Sequence, residues 1–166
     1  MIELDFMQLQ QFMIQKKKML IVAESCTGGL ISHLITKHAG SSKYFLGSLV
    51  TYSNELKQKV LSVSPELLFK FGAVSSECVI AMVEGLFTLS NADICVAVSG
   101  IAGPDGGSLE NPVGTVFIAI LQKGQIPEVK LLHLQGDREE IMKAVSDYVL
   151  RSLVQKMQNE PSFSLS

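Results

Sequence analysis

Residues 23–29 read AESCTGG, with a hydroxyl at Ser25 and a thiol at Cys26 directly ahead of the pair Gly28-Gly29. Either group becomes a nucleophile for acyl transfer once a neighbouring base takes its proton. If a strand ends at Glu24 and a helix begins near Thr27, both point into the crevice beyond the strand's carboxyl end. Open α/β sheets bind their ligands there. A helix N-terminus adds N–H groups and partial positive charge, which suit a phosphate or a developing oxyanion. The glycine pair lets a ligand approach the backbone closely. The same residues also make an ordinary strand-to-helix turn, with Ser25 and Thr27 as caps and Cys26 as a small core residue. The stretch alone does not separate the two readings.

A second stretch, VTYSNELK at 50–57, brings Tyr52, Asn54 and Lys57 to one side of a strand end if Ser53 caps the following helix. An isolated lysine on a short helix is ordinarily a solvated charge. It becomes a base only where it faces a cleft and desolvation lowers its pKa. A third stretch, SGIAGPDGG at 99–107, is followed by NPVGTV. Its glycines do not fit the dinucleotide-binding spacing, no helix follows, and no phosphate-binding loop with lysine is present. What remains is a backbone-rich loop whose N–H groups suit a phosphate or carbonyl oxygen, or a long hairpin loop with no ligand. His33 and His38 are five apart and share no helix face as a metal pair would, and His133 falls in a strand. No metal set is expected, and neither is a histidine-based triad at Ser25.

The elements that must position these groups follow from periodicity. Residues 2–18 read as an amphipathic helix, 19–24 (MLIVAE) as a strand buried on both faces, and LISHLITKH as a helix ending near Gly40. A strand over 44–52 leads into the Ser53-capped helix. A short helix is expected after Ser64-Pro65, and a longer one opens at Ser75. Strands over 93–100, 113–121 and 129–134 then come in succession, before a last helix over 137–157. Strands joined without a crossover helix pair antiparallel. The expected fold is a three-layer α/β/α single domain with a mixed sheet over residues 1–158, and 159–166 is expected to be a flexible tail.

Composition excludes several classes. The 166 residues suit one domain, and 47% hydrophobic against 18% charged is enough for a core. Net charge is −2, and the only basic run, Lys16–Lys18, closes a helix, so no nucleic-acid surface is expected. Three cysteines without a C-x-x-C pair make neither a disulfide framework nor a zinc site and suit a reducing cytoplasm. No signal peptide or membrane span is expected. The apolar fraction of so small a domain points to a homo-oligomer.

Taken in order, AESCTGG, GSLVTYSNELK, GAVS, SGIAGPDGG, NPVGTV and GDRE resemble the C-terminal domain of the competence/damage-inducible protein CinA, over about 19–156. That domain also occurs alone as nicotinamide-nucleotide amidase. The resemblance implies hydrolysis of nicotinamide mononucleotide, a small-molecule substrate, to nicotinate mononucleotide and ammonia, without cofactor or metal. It assigns Ser25 as nucleophile, Lys57 as the neutral-amine base and Tyr52 as proton relay or orienting group. N–H groups near Cys26, Thr27, Gly28 and Gly29 become an oxyanion hole. Asn54, the loop with Gly100, Ala102 and Gly103, Thr115 and Arg138 become substrate contacts. Members of the family often carry arginine shortly after GDR, where this chain has Met142 and Lys143. The alternative is therefore a catalytically silent nucleotide-binding module, or an amidase for another small carboxamide.

Overall fold

A computed structural model describes residues 2–159. Five strands form one sheet in the order β2-β1-β3-β4-β5: β1 (Leu20–Glu24), β2 (Phe45–Val50), β3 (Ile94–Gly100), β4 (Thr115–Gln122) and β5 (Glu128–His133). β1 pairs in parallel with β2 and β3, while β3–β4 and β4–β5 are antiparallel. The mixed sheet is the one expected. The strand order was not legible in the sequence.

Among the described residues six α-helices cover the sheet: α1 (Ile2–Gln15), α2 (Leu30–Thr36), α3 (Asn54–Leu61), α4 (Pro65–Phe71), α5 (Ser76–Leu89) and α6 (Arg138–Asn159). Strand alternation divides the core in two. Val22, Val96, Ile118 and Ile120 face α1, α2 and α6. Ala23, Ala97 and Ala119 face α3, α4 and α5. The three alanines keep the second face low, so α5 sits close to the sheet. Ser53, Ser64 and Ser75 each accept an N–H three residues on, capping α3, α4 and α5.

Close packing at α5 depends on Gly85. A Cβ built there would lie 2.1 Å from the carbonyl oxygen of Leu61, at the end of α3. Gly85→Ala is expected to push α3 from α5 at a cost of about 2–3 kcal/mol. Thermal denaturation should record a Tm roughly 5–10 °C lower.

Two boundaries differ from expectation. α1 stops at Gln15, and Lys17 is left-handed (φ 51°). α2 begins at Leu30, where LISHLITKH starts, but stops at Thr36, short of Gly40. The start near Thr27 considered for the nucleophile turn does not occur, because Gly28 (φ 59°) and Gly29 (φ 101°) both turn left-handed and hold 25–29 in a turn. The expected tail lies outside the described residues from 160 onward, and Asn159 still belongs to α6. Among the described residues no helix is long and apolar enough to cross a membrane.

Candidate active site

At the carboxyl end of the parallel strands, a cavity of about 200 Å³ opens between the turn after β1, the turn after β2 and the loop after β3. Ser25 continues the β1 ladder through its N–H to Val98 O (3.1 Å), so its side chain falls on the face of Ala23, toward α3 and α5. The cap at Ser53 starts α3, and Lys57 stands one turn in. Its Nζ lies 2.9 Å from Ser25 Oγ, 2.8 Å from Thr51 O and 3.2 Å from Tyr52 O. Lys57 is 1% exposed and Ser25 7%.

Burial holds the Lys57 amine below the ordinary lysine range, and the nearby thiols of Cys78 and Cys26 offset part of that shift. A neutral amine has two N–H bonds and one lone pair. The carbonyls of Thr51 and Tyr52 can only accept, so they take the two N–H groups. The lone pair is left facing the Ser25 hydroxyl, the orientation a base needs.

Cys26 follows Ser25 and takes the opposite orientation. It lines the cavity, but its side chain belongs to the core cluster facing α2 and α6. Burial pushes its thiol up to about 12, far from the thiolate that would attack a carbonyl.

Tyr52, Asn54, Gly100, Ala102 and Arg138 also line the cavity. The hydroxyl of Tyr52, itself 57% exposed, accepts from Arg138 Nη2 at 3.0 Å and takes no part in the Ser25–Lys57 contact. It is the main-chain oxygen of Tyr52 that meets the Lys57 amine. Arg138 Nη1 donates to Gly103 O at 2.8 Å, so Gly103 holds the arginine and does not line the cavity. Thr115 is buried with its hydroxyl unpaired and lies off the cavity.

The N–H groups of the turn are mostly occupied. Gly28 N–H goes to Ser25 O, Gly29 N–H to Glu24 and Leu30 N–H to Thr27 O. Thr27 gives its hydroxyl to Glu24. Only the N–H groups of Cys26 and Thr27 stay outside this set, so the unpaired N–H groups expected across 26–29 reduce to those two.

Sequence reasoning missed Thr51, Ala73, Val74 and Ser99. Ala73, Val74 and Ser99 line the cavity, and Ser99 Oγ donates to Ala73 O at 2.7 Å, tying the α4–α5 loop to β3. The GAVS motif carried that signal without a role attached. A larger cleft of about 520 Å³ lies at the opposite end of the sheet, between β4, β5 and the end of α6. Its Lys156 amine pairs with Glu128 and not with a hydroxyl. Among the described residues no group of side chains could hold a metal ion.

The CinA C-terminal domain family model matches residues 6–157. The chain belongs to this family. The CinA-like protein of Thermotoga sp. (strain RQ2) is 49% identical over 138 residues, 83% of this chain and 33% of that protein. The putative competence-damage inducible protein of Alkaliphilus metalliredigens is 44% identical over 138 residues, again 83% and 33%. The chain thus spans about a third of the length of these curated relatives. Among solved structures, competence damage-inducible protein A (ComA) from Klebsiella pneumoniae superposes with a TM-score of 0.91 at 35% identity, covering 96% of this chain and 99% of that one. The competence/damage inducible protein CihA from Agrobacterium tumefaciens gives 0.85 at 37% identity, covering 93% and 96%. The CinA C-terminal fold is therefore the frame that carries the Ser25–Lys57 contact.

Proposed function

We propose that this chain is an amidohydrolase that converts nicotinamide mononucleotide to nicotinate mononucleotide and ammonia. The observation that carries the reading is the 2.9 Å contact between Ser25 Oγ and the buried Lys57 amine. Ser25 Oγ attacks the carboxamide carbon as its proton passes to Lys57 Nζ. The N–H groups of Cys26 and Thr27 receive the oxyanion. On collapse the C–N bond breaks, and Lys57 returns the proton to the departing nitrogen, which leaves as ammonia. Water, deprotonated by the same amine, then adds to the acyl carbon; the C–Oγ bond breaks, Lys57 returns the proton to Ser25 Oγ, and the carboxylic acid is released. The test is ammonia release from nicotinamide mononucleotide, with other small carboxamides alongside. A chain that turns over none of them contradicts the reading.

Arg138 pairs with no carboxylate among the described residues, and its present acceptors, Gly103 O and Tyr52 OH, are neutral. A phosphate is the better partner for its fork. Arg138→Ala is expected to raise KM for the nucleotide about 10–100-fold, the worth of a charged hydrogen bond. KM for the unphosphorylated nucleoside should hardly move. Steady-state kinetics on both substrates checks this.

The second reading, a silent nucleotide-binding module, draws on Met142. Its Cε lies 3.9 Å from where a Cβ at Gly28 would stand, so a thioether covers the turn. Lys143 is turned to solvent, 2.8 Å from Glu139, and brings no cation there. Calorimetry showing nucleotide binding without ammonia release would favour this module over the amidase.

A further inference from the structure

Glu24 is a buried acid for which the proposed chemistry has no use. It is 0% exposed, and its side chain lies on the face opposite Ser25, between α2 and the edge strand β2. Oε2 accepts from Thr27 Oγ1 (2.8 Å), Gly29 N–H (3.0 Å) and Ile31 N–H (3.1 Å). Oε1 accepts from Ser32 N–H (2.9 Å) and Ser48 Oγ (3.0 Å). Three of the five partners are main-chain N–H groups that can only donate, so both oxygens act as acceptors. A buried carboxylate with several N–H donors is a rigid anchor, because releasing any of them leaves a buried polar group unpaired.

The two sets of contacts lead to the two halves of the candidate dyad. Thr27, Gly29, Ile31 and Ser32 belong to the turn and first helical residues after Ser25, so they fix the nucleophile. Ser48 lies on β2, three and four residues before Thr51 and Tyr52, whose carbonyls hold the Lys57 amine. The main chain adds a parallel tie, Thr51 N–H to Glu24 O at 2.9 Å. We propose that Glu24 is a positioning residue that sets the Ser25–Lys57 geometry from the far face of the sheet, one oxygen mainly registering the nucleophile's turn and the other the strand that orients the base. The inference rests on reading Ser25 as nucleophile and Lys57 as base.

Glutamine would place an NH₂ against one set of donors whichever way it turned. The groups in contact with the Lys57 amine are Ser25 Oγ and the two carbonyls; the thiols of Cys78 and Cys26 lie near enough to act on its charge, and Arg138 lines the same cavity. Glu24 therefore acts on the amine through the backbone.

The experiment is the rate of Ser25 acylation by p-nitrophenyl acetate, followed by intact mass and peptide mapping across pH. It is run on the native chain, Glu24→Gln, Ser48→Ala and Thr27→Val, with native near-UV circular dichroism required of each variant. Glu24→Gln is expected to slow acylation about 100-fold, the cost of a displacement near 1 Å. Ser48→Ala should slow it about tenfold, as for one hydrogen bond to a charged group. It should also move the pH midpoint up toward that of an ordinary lysine, because water reaches the loosened amine. Thr27→Val should lower the rate and leave the midpoint in place, a split that general destabilisation would not produce. If Glu24→Gln does not fold, the other two variants decide. Folded variants that acylate at the native rate and midpoint overturn the proposal and leave the dyad standing. A native chain that p-nitrophenyl acetate does not acylate at Ser25 overturns both.

Discussion

Ser25→Ala is expected to cut ammonia release from nicotinamide mononucleotide by at least about 10⁴-fold, the scale seen when a covalent nucleophile is removed. Cys26→Ala is expected to keep turnover within about tenfold of the native chain, since it removes no reacting atom. The contrast follows from strand geometry. Ser25 falls on the face of Ala23 and meets the Lys57 amine at 2.9 Å, whereas Cys26 turns into the core beneath α2 and α6. A thiol is intrinsically the better nucleophile, but one held at about 12 is protonated at neutral pH. Measuring ammonia release from both variants decides between the two nucleophiles. Loss of turnover in Cys26→Ala with activity kept in Ser25→Ala would reverse the assignment.

Lys57→Met is expected to abolish activity and, unusually for a catalytic substitution, to gain stability relative to the native chain as the pH is lowered. Burial lowers the Lys57 pKa from the ordinary 10.5, so the folded chain keeps the amine neutral where the unfolded chain holds it protonated. The unfolded state therefore binds the extra proton, and native stability rises with pH between the lowered folded value and 10.5. Methionine removes this penalty. The Tm difference in its favour should be widest below the lowered folded value and close as pH passes 10.5. The same amine gives the native chain a rate that climbs with pH, with a midpoint below that of free lysine, because only the neutral form accepts the Ser25 proton. Scanning fluorimetry across pH on both chains, beside a pH–rate profile of the native enzyme, checks the two halves. A Tm difference that ignores pH would mean that Lys57 is not desolvated.

Much of this was legible because single residues constrain local structure strongly. The serines at 53, 64 and 75 mark three helix starts, and the apolar runs ending at Glu24 and Gly100 mark strands buried on both faces. The alternation that separates Ser25 from Cys26 follows from the period of a strand once Glu24 is taken as its end. The strand order was not legible, since it depends on long-range pairing. The start of α2 at LISHLITKH was legible, but the turn over 25–29 was not, because the glycine pair was read as room for a ligand although both glycines also adopt left-handed φ. That turn changes the electrostatics. Of the N–H groups expected to await an anion across 26–29, that of Gly28 goes to Ser25 O and that of Gly29 to Glu24, a residue whose role depends on contacts up to 24 positions away in sequence, at Ser48. The use of the Tyr52 carbonyl in place of its hydroxyl was likewise out of reach, because residue type says nothing about which main-chain oxygen meets an amine.

The central claim is that the substrate's acyl group rests on Ser25 during turnover. The most direct measurement is acid quenching of the chain during steady-state turnover of nicotinamide mononucleotide, followed by peptide mapping with fragmentation. The account predicts the nicotinate mononucleotide acyl mass on Ser25 and none on Cys26. Ammonia release with the acyl group on Cys26, or with neither residue labelled under conditions that preserve serine esters, would contradict it.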